Sequence, residues 1–444
     1  MEQVNLSLGS GWVRHAAPTP PTSCTAKCSF ASRCFDQRID IGILCADPIC
    51  CDCEYCAGPY STWTTPSGVL LESLTTSGRY TPRFHFVINP LDKDMLYVRH
   101  RLLVEPELSR IWANTTSACC SSRGGTRLVV DAGANFGWYT LLSLSLGCSV
   151  VAFEPVHSYQ DVIRLAIHLN GPSFALRLTL HNHAVYDQPG QYQMVVPTAG
   201  RSRSSRRRSA ATPSSAQQHT LRTHTRTHLG MAAMVGTRGQ SARVKDVRQI
   251  NPGTLTYTQP TVAVAIDSVV VALGASDAVC MLKIDTEGLE AAGVRSASRL
   301  LSWHEVRAVQ VELPRRSVQR ACETQSMLRD LLLLGFSLEH VPHTRECWAN
   351  DACVLRPLRS QLRSHVQHIS AGLYSSHLEG HQRYEGGAEP MLMSSRVLSR
   401  GARVARQLWH KVHSGNLIAR RSAEVVPRRM LPEARLAGMN CSSN

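Results

Sequence analysis

Carboxylate side chains follow four apolar segments of the sequence that are typical of buried β-strands. The segments are RLVVDA, SVVAFEP, VCMLKIDTEG and VRAVQVEL, and their acids are Asp131, Glu154, Asp285 and Glu312. Because the carboxyl ends of parallel strands meet at one edge of a sheet, we expect these side chains along that edge. Carboxylates placed there can accept hydrogen bonds from ligand hydroxyls or take a proton in general base catalysis.

Asp285 is our candidate for a general base or for orienting a substrate, and the alternative is that it caps the helix that follows. Glu287 and Glu312 are further catalytic candidates, and Lys283 shares a strand face with Asp285. The alternative for each of these three is a structural ion pair or a cap. Two carboxylates separated by one residue could hold a divalent ion, but no further ligand is evident, so no metal site is predicted.

Small residues fill the segment between the first of these strands and the next helix. The segment is DAGANFG, and an apolar helical pattern follows it. At such a turn we expect backbone N–H groups and a helix N-terminus to face a ligand, which the small side chains allow to approach closely. A dinucleotide fingerprint would need glycine where the chain has Asn135 and Trp138, so that class of ligand is excluded. The candidate cofactor-binding residues here are Asp131, Gly133, Ala134, Asn135 and Gly137.

The elements around these residues alternate between strands and helices, which predicts a mostly parallel sheet with helices on both faces. Strand patterns continue with LRLTLHNHAV and VAVAIDSVVVAL, and helical spacing is present at Ser158–Leu169. The pattern D-x-G-x-N-x-G at Asp131–Gly137 resembles the first motif of S-adenosylmethionine-dependent methyltransferases. The stretch MLKIDTEGLEAAGVRSASRLL, followed by VQVEL, closely resembles the FkbM family of methyltransferases.

The FkbM resemblance also includes VVDAGANFGWYT, VVAFEPV, HNHAVYD and the Ile266-Asp267 pair, and it covers roughly Thr126–Val341. It implies a Rossmann-like class I methyltransferase fold. It also implies S-adenosylmethionine as the cofactor, and methyl transfer to a hydroxyl of a sugar, glycan or secondary metabolite.

The resemblance assigns roles to several residues of the candidate cofactor site. The turn amides would bind the methionine carboxylate, and Asp131 would help with the ammonium group. Glu154 would accept hydrogen bonds from the ribose hydroxyls. His183, next to Asn182, would flank the adenine; the alternative for His183 is an exposed loop histidine.

The rest of the chain divides into regions of different composition. We predict a Cys-rich N-terminal region (1–100), an FkbM-like methyltransferase domain (101–356) that contains a low-complexity, disordered insertion (199–241), and a basic, largely irregular tail (357–444). The net charge is +15. The excess lies in Thr198–Ile250, at +10, and in Arg356–Asn444, at +9. The basic charge therefore lies outside the predicted sheet, and no specific nucleic-acid partner is expected.

Eight of the 16 cysteines lie between Cys24 and Cys56. A disulfide-rich cap, a zinc site and free thiols all remain open for this group, with disulfides favoured. Sequons at Asn5, Asn114 and Asn440 lean toward the secretory pathway, although no signal peptide pattern starts this chain and no apolar run is long enough to span a membrane.

Two other functions remain open beside the enzyme. One is a degenerate methyltransferase domain that serves as a binding scaffold for the Cys-rich head and basic tail. The other is an RNA-modifying methyltransferase, suggested by charge. The near-neutral predicted core and the absence of interleaved aromatic residues make the RNA-modifying enzyme the weaker alternative.

Overall fold

The computed structural model describes residues 8, 10–15, 61–76, 82–92, 95, 98, 102–122, 124–197, 233–235, 256–270, 277–303, 305–313, 318–342 and 415–421. The cysteines from Cys24 to Cys56, the sequons at Asn5 and Asn440, and most of the predicted insertion and tail lie outside these residues. Among the described residues, no helix combines the length and the apolar character needed to cross a membrane.

Strands and helices alternate through the middle of the chain. The strands are β1 (Val13–His15), β2 (Ser61–Thr64), β3 (Leu70–Thr75), β4 (His85–Ile88), β5 (Arg127–Ala132), β6 (Ser149–Phe153), β7 (Leu178–His181), β8 (His183–Val185), β9 (Gly190–Pro197), β10 (Ala233–Val235), β11 (Thr256–Val264), β12 (Ala278–Ile284), β13 (Glu305–Val306), β14 (Ala308–Leu313), β15 (Phe336–Pro342) and β16 (Gly415–Arg421). The helices are α1 (Pro106–Cys120), α2 (Trp138–Ser145), α3 (His157–Asn170), α4 (Pro172–Ala175), α5 (Ile266–Val269), α6 (Glu290–Ser296), α7 (Ser298–Trp303) and α8 (Val318–Leu333).

The central sheet has the strand order β15-β16-β14-β12-β5-β6-β7, and β13 pairs with β12 beside this path. Strands β14, β12, β5, β6 and β7 are parallel to one another, whereas β16 runs antiparallel to both of its neighbours. All seven residues of β12 are buried, as expected for a parallel strand covered on both faces. Successive residues of β5 show the two faces, because Val129 packs in one hydrophobic core and Val130 in the other.

The strand order reverses between β5 and β12. From β5 the chain continues outward through β6 and β7, and it then returns to place β12 on the other side of β5. Open α/β sheets bind their ligands in the crevice at such a point, outside the carboxyl ends of the two strands. The predicted acids Asp131 and Asp285 lie at these two strand ends.

Strand β16 is a regular element within residues 357–444, which the sequence predicts to be a largely irregular tail. It lies between β14 and β15 in the central sheet, and Leu417, Ile418 and Ala419 are buried there. The apolar run is only a few residues long and is surrounded by basic sequence, so composition hides it. Its pairing partners lie far away along the chain, and local periodicity cannot indicate such a pairing.

Residues of the predicted N-terminal region form an antiparallel sheet, β1-β2-β3-β4, that packs on the sheet domain. Asn170 at the end of α3 accepts a hydrogen bond from the His85 backbone N–H and donates one to the His85 carbonyl, at 2.9 and 2.7 Å. Phe86 of β4 makes an edge contact with Trp138 of α2. The described residues of β2 to β4 therefore share one core with the domain, and the predicted boundary at residue 100 does not separate two cores.

Strands β9 and β11 form a long antiparallel hairpin from which the predicted insertion extends. The register places Pro197 opposite Thr256, so the two ends of the intervening segment are neighbours. Within that segment Ala233–Val235 form β10, which pairs with β9. This short strand differs from the prediction that all of residues 199–241 are disordered.

Two disulfides join the end of α1 to the sheet domain. Cys119 is bonded to Cys280 of β12, and Cys120 is bonded to Cys148, just before β6. Disulfides of this kind form and persist in oxidising compartments. Asn114, the sequon residue in the described part of the chain, has an exposed side chain on α1.

Candidate functional site

A cavity of about 640 Å³, which includes space open to solvent, lies at the carboxyl ends of β5, β6 and β12. Among the residues predicted from sequence, those that line it are Gly133, Asn135, Glu154, His183, Asp285 and Glu287. The structure therefore brings together residues from motifs that lie more than 150 positions apart in the chain.

Other predicted residues lie near the cavity without lining it, namely Asp131, Ala134, Gly137, Asn182 and Glu312. Asp131 is fully buried beneath the turn, and Asn182 lies between β7 and β8. Glu312 on β14 is partly buried and contacts Asp285. These residues can act on a ligand in the cavity chiefly through their neighbours.

Gly133 is required by a close approach of two backbone segments. Its φ is 81°, and a Cβ there would lie 1.8 Å from the carbonyl oxygen of Asp285. The turn after β5 and the loop after β12 are thus in direct contact. The sequence suggested that the absence of a side chain made room for a ligand; the structure shows that it makes room for the Asp285 backbone.

Gly137 allows helices α2 and α3 to pack closely. Its φ is 83°, and a Cβ would lie 2.8 Å from Cγ1 of Ile163 on α3. It is the N-cap of α2, so the missing side chain lets α2 begin close against α3.

The backbone N–H groups of the turn are bonded within the protein. Those of Gly133 and Ala134 both donate to the Phe153 carbonyl, and that of Gly137 donates to Ala134. The Asn135 N–H donates to the carboxylate of Glu154 at 2.7 Å. The expectation that these amides face a ligand therefore differs from the structure, in which three of them hold the turn against the end of β6 and the fourth bonds within the turn.

Glu154 directly follows β6, and its side chain connects the end of β6 to the turn after β5. One carboxylate oxygen accepts the Asn135 N–H and the other accepts the Val156 N–H, at 2.7 and 2.8 Å. Burial raises the pKa of Glu154 to about 8, and the two backbone hydrogen bonds oppose that rise. Each carboxylate oxygen retains a second acceptor position, so Glu154 can also accept a hydrogen bond from a ligand in the cavity that it lines.

Lys283 lies behind the cavity wall, between the turn and the loop after β12. Its Nζ donates to the Gly133 carbonyl at 2.9 Å and lies 3.1 Å from Asp285 Oδ2 and 3.6 Å from Asp131 Oδ1. Burial by itself lowers the pKa of Lys283, but the carboxylates of Asp285 and Asp131 outweigh it and raise that pKa above its ordinary value. The ammonium group is therefore charged, and it neutralises part of an acidic cluster.

Three carboxyl groups converge beyond Lys283. One oxygen from each of Asp285, Glu287 and Glu312 lies within 4.8 Å of the others. Burial, followed by the like charges of Asp285 and Glu287, raises the pKa of Glu312 well above its ordinary value, and its carboxyl is hydrogen-bonded to that of Asp285. A carboxyl pair of this kind can share one proton, which suits it to acid–base chemistry.

The alternative of a helix-capping role for Asp285 is not supported by the geometry of α6. The N-cap of that helix is Leu289, and no side chain makes the capping hydrogen bond. The carboxylate of Glu290 accepts the Gly288 N–H at 2.5 Å. Asp285 instead contacts Lys283 and Glu312.

Aromatic and apolar groups form the other wall of the cavity. Phe153 stacks on His181 with ring centroids 5.2 Å apart, and both His181 and His183 are buried. The alternative that His183 is an exposed loop histidine is therefore excluded. Burial, with a contribution from His183, lowers the pKa of His181 to about 4, so that ring is neutral at physiological pH. Met194 from the β9–β11 hairpin completes this wall.

Two residues near Lys283 were not predicted from the sequence. Tyr139 of α2 donates its hydroxyl to Glu105 at 2.7 Å, and the Lys283 ammonium lies 5.7 Å from the Tyr139 ring centroid. Tyr139 lies in an apolar helical pattern that indicates only burial. Glu105 precedes α1, outside every motif, so no local signal marks it.

An open, mostly parallel α/β sheet with a cavity at the reversal of its strand order, lined by carboxylates from two strand ends, is consistent with a methyltransferase fold. Residues 131–338 match the family model of the methyltransferase FkbM domain. The chain therefore contains an FkbM methyltransferase domain, and the family predicted from its motifs is confirmed. No curated protein matches the chain. The match starts at Asp131 and ends in β15, so α1 and β16 lie outside it.

Proposed function

We propose that this methyltransferase binds S-adenosylmethionine in the cavity between β5, β6 and β12 and methylates a hydroxyl group of a sugar, glycan or secondary metabolite. The observation that carries the proposal is the acidic cluster of Asp285, Glu287 and Glu312 beside the Gly133 turn. A proton acceptor and a ligand cavity thus lie next to each other at the strand ends where open α/β sheets bind ligands.

The charges around the cavity favour a cationic ligand over a phosphate. The described residues that line the cavity or contact its lining include the acids Asp131, Glu154, Asp285, Glu287 and Glu312. The cation Lys283 pairs with two of them, Asp131 and Asp285. Like charges would repel a pyrophosphate, which agrees with the missing dinucleotide fingerprint. S-adenosylmethionine carries a sulfonium and an ammonium group, and when bound it supplies an activated methyl group.

The residues that line the cavity offer partners for each part of this cofactor. Glu154 is the candidate acceptor for the ribose hydroxyls. Asn135 Oδ1 and Thr286 Oγ1 are buried and have no hydrogen-bond partner among the described residues, as expected for atoms that await a polar ligand. His183 and Met194 form the apolar wall that would hold the adenine. Asp131 supports the site from below through Lys283.

Asp285 is the proposed general base. A hydroxyl oxygen becomes a stronger nucleophile when its proton is removed, and a carboxylate within hydrogen-bond reach can take that proton. Lys283 stabilises the ionised form of Asp285, and Glu312 is hydrogen-bonded to the same carboxylate. Glu287 lines the cavity and is the next candidate for this role.

Calorimetric titration of the full chain with S-adenosylmethionine and with its demethylated product tests the cofactor assignment. We expect saturable one-site binding of both, and no binding of an RNA oligonucleotide at physiological salt. Absence of cofactor binding by folded protein would overturn the assignment. Binding of RNA without the cofactor would support a nucleic-acid function instead.

The acceptor can be sought by transfer of labelled methyl groups into fractionated glycan and metabolite extracts. We expect label in a hydroxyl-bearing compound with the wild-type chain and its loss with Asp285→Asn. If the wild type binds the cofactor but labels nothing in any fraction, the alternative of a catalytically inactive binding scaffold is favoured.

A further inference from the structure

Lys283 contacts both halves of the candidate site at once. The residue is 3% exposed, and its Nζ donates to the Gly133 carbonyl of the turn while it pairs with Asp285 Oδ2. The third neighbour is Asp131 Oδ1 at 3.6 Å, which has no hydrogen-bond partner within the described part of the chain. One buried cation is thus shared between the cofactor side and the acceptor side of the cavity.

The backbone around Lys283 is fixed by close contacts. The Asp285 N–H donates to the Ala132 carbonyl at 3.0 Å, and Gly133 packs against the Asp285 carbonyl without room for a Cβ. With the backbone fixed, the position of the Asp285 carboxylate depends on its side-chain torsions and on the groups that contact it, Lys283 and Glu312. Lys283 is a buried charged donor to this carboxylate, with its Nζ 3.1 Å from Asp285 Oδ2.

Glu105 lies outside the cavity lining, next to the Tyr139 hydroxyl. It accepts the Tyr139 hydroxyl at 2.7 Å, and the Tyr139 ring lies below the ammonium group. Its carboxylate acts on Lys283 through charge, as those of Asp285 and Asp131 do. Glu105 belongs to the segment before the FkbM domain, so that segment contributes a charge to the candidate site.

We infer that Lys283 is a positioning residue that holds the Asp285 carboxylate in place and in its ionised form, and that Glu105, through the same ammonium, weakens that hold. The inference rests on the proposed role of Asp285 as the base. It requires opposite effects: removal of the Lys283 charge favours protonation of Asp285, and removal of the Glu105 charge favours its ionisation. A purely structural role for either residue gives no such pair of opposite effects.

Several ionisable groups face Lys283, Asp285 or Glu312, which is hydrogen-bonded to Asp285, and therefore enter the titration. Asp131 comes from β5, Tyr139 from α2, Glu154 from the end of β6, Glu312 from β14, Glu287 from the loop after β12 and Glu290 from α6. All are common to the wild type and the variants compared, so the difference between chains isolates the substituted charge.

The experiment is a pH titration of the unliganded full chain labelled with ¹³C at the aspartate carboxyl carbons, with the Asp285 signal assigned by its loss in Asp285→Asn. In Lys283→Met the midpoint for Asp285 should move to higher pH by about 1 to 3 pH units, the effect of an opposite charge at this range. In Glu105→Gln it should move to lower pH by a smaller amount. Arg329→Met is the matched control, because it removes a cation from a buried pair with Asp330 on α8. It should leave the Asp285 midpoint unchanged.

An unchanged Asp285 midpoint in Lys283→Met would overturn the inference. If Lys283→Met does not fold, the Glu105→Gln chain decides alone: a shift to lower pH supports the inference, and no shift or a shift to higher pH overturns it. Cofactor calorimetry on the wild type separates this result from the proposed function. Failure to bind the cofactor rejects the function, whereas normal binding with an unmoved Asp285 midpoint rejects only the role of Lys283.

Discussion

The two ends of strand β12 are held in different ways. Near its start, Cys280 is bonded covalently to Cys119 of α1. At its end, Lys283 and Asp285 are held by charge, in contact with Asp131 and Glu312. A disulfide bond does not depend on the protonation of nearby side chains, whereas the contacts within an acidic cluster change when a carboxylate gains or loses a proton. The comparison indicates that support for the fold and capacity for chemistry are separated along a single strand.

Removal of the Cys119–Cys280 disulfide should have the largest effect. We expect it to lower the free energy of unfolding and to leave the candidate site unchanged. Cys119→Ala combined with Cys280→Ala should lower the free energy of unfolding by about 2–5 kcal/mol. Cofactor affinity of the folded fraction should stay within a few-fold of wild type. Cys120→Ala combined with Cys148→Ala is the matched control, and because it opens a loop of 28 rather than 161 residues it should cost roughly 1.5 kcal/mol less. Denaturant unfolding without reductant measures both, and equal costs would contradict the loop-length argument.

Removal of the Asp285 charge, at the carboxyl end of β12, should lower turnover and leave stability largely unchanged. Asp285→Asn keeps the shape of the side chain but removes its basicity, so turnover should fall about 10²-fold or more while cofactor affinity changes only a few-fold. Asp267→Asn is the control, because Asp267 accepts the N–H groups of Arg299 and Leu300 at the start of α7, away from the cavity. Asparagine keeps one acceptor oxygen, so that control should lose one of the two hydrogen bonds, lower stability by about 1 kcal/mol and leave turnover unchanged. Loss of cofactor binding in Asp285→Asn would place Asp285 in the cofactor site.

Glu154 should be responsible for a smaller effect, on cofactor affinity. Glu154→Ala removes a charged acceptor for the ribose hydroxyls and should weaken binding by about 1.5–3 kcal/mol. Because burial raises the pKa of Glu154 to about 8, the ionised acceptor becomes populated only as the pH rises through that value. Wild-type affinity should therefore increase from pH 7 to pH 9.

The control for this pH dependence is Glu154→Gln, which cannot titrate and should show a flat profile. The stability of the unliganded protein should depend on pH in the opposite direction to cofactor affinity. The raised pKa of Glu154 means that the folded state favours the protonated carboxyl. That contribution to unfolding free energy should be present at low pH and be lost as the pH rises through about 8. A wild-type affinity that falls over this range would contradict a carboxylate acceptor.

Deletion of residues 199–241 should have a small effect on either end of β12. The hairpin register brings Pro197 opposite Thr256, so a short Gly-Ser linker can replace the segment, although β10 is lost with it. The thermal midpoint should stay within a few degrees of wild type. Loss of soluble protein would show that the deleted segment is needed for packing.

Chelation of divalent cations should have the smallest effect. The proposed step uses Asp285 as the base and needs no metal ion, so turnover in excess EDTA should equal turnover without it. The spacing of Asp285, Glu287 and Glu312 makes this a sharp test, because three carboxylates at such distances could also hold a cation. A loss of turnover that magnesium restores would give the cluster a different role.

Local patterns in the sequence were sufficient to predict the strands and turns that define the cavity. Small residues after a buried strand indicated the Gly133 turn, and acids at strand ends indicated Glu154 and Asp285. The hydrogen-bond acceptors of the turn amides could not be predicted, because Phe153 and Glu154 lie at the end of a neighbouring strand. Sequence spacing indicates that a turn exists, but the partners of its N–H groups depend on three-dimensional packing.

Long-range contacts account for the features that the sequence did not predict. Strand β16 pairs with β14 and β15 across a long stretch of chain, and its short apolar run is hidden by basic neighbours. Glu105 reaches Lys283 only because α1 packs beside α2 and β12. A single carboxylate before a helix most often indicates a cap, and its relation to a lysine 178 residues later follows from the fold alone.

The Cys119–Cys280 bond encloses the whole segment between β9 and β11. Proteolytic cleavage of any one peptide bond between residues 198 and 255 would therefore yield two polypeptides that remain covalently joined, with Cys119 in the first and Cys280 in the second. Such a nicked protein would migrate as one species without reductant and as two with it. The central sheet, which contains strands from both polypeptides, could therefore remain assembled after the chain has been cleaved.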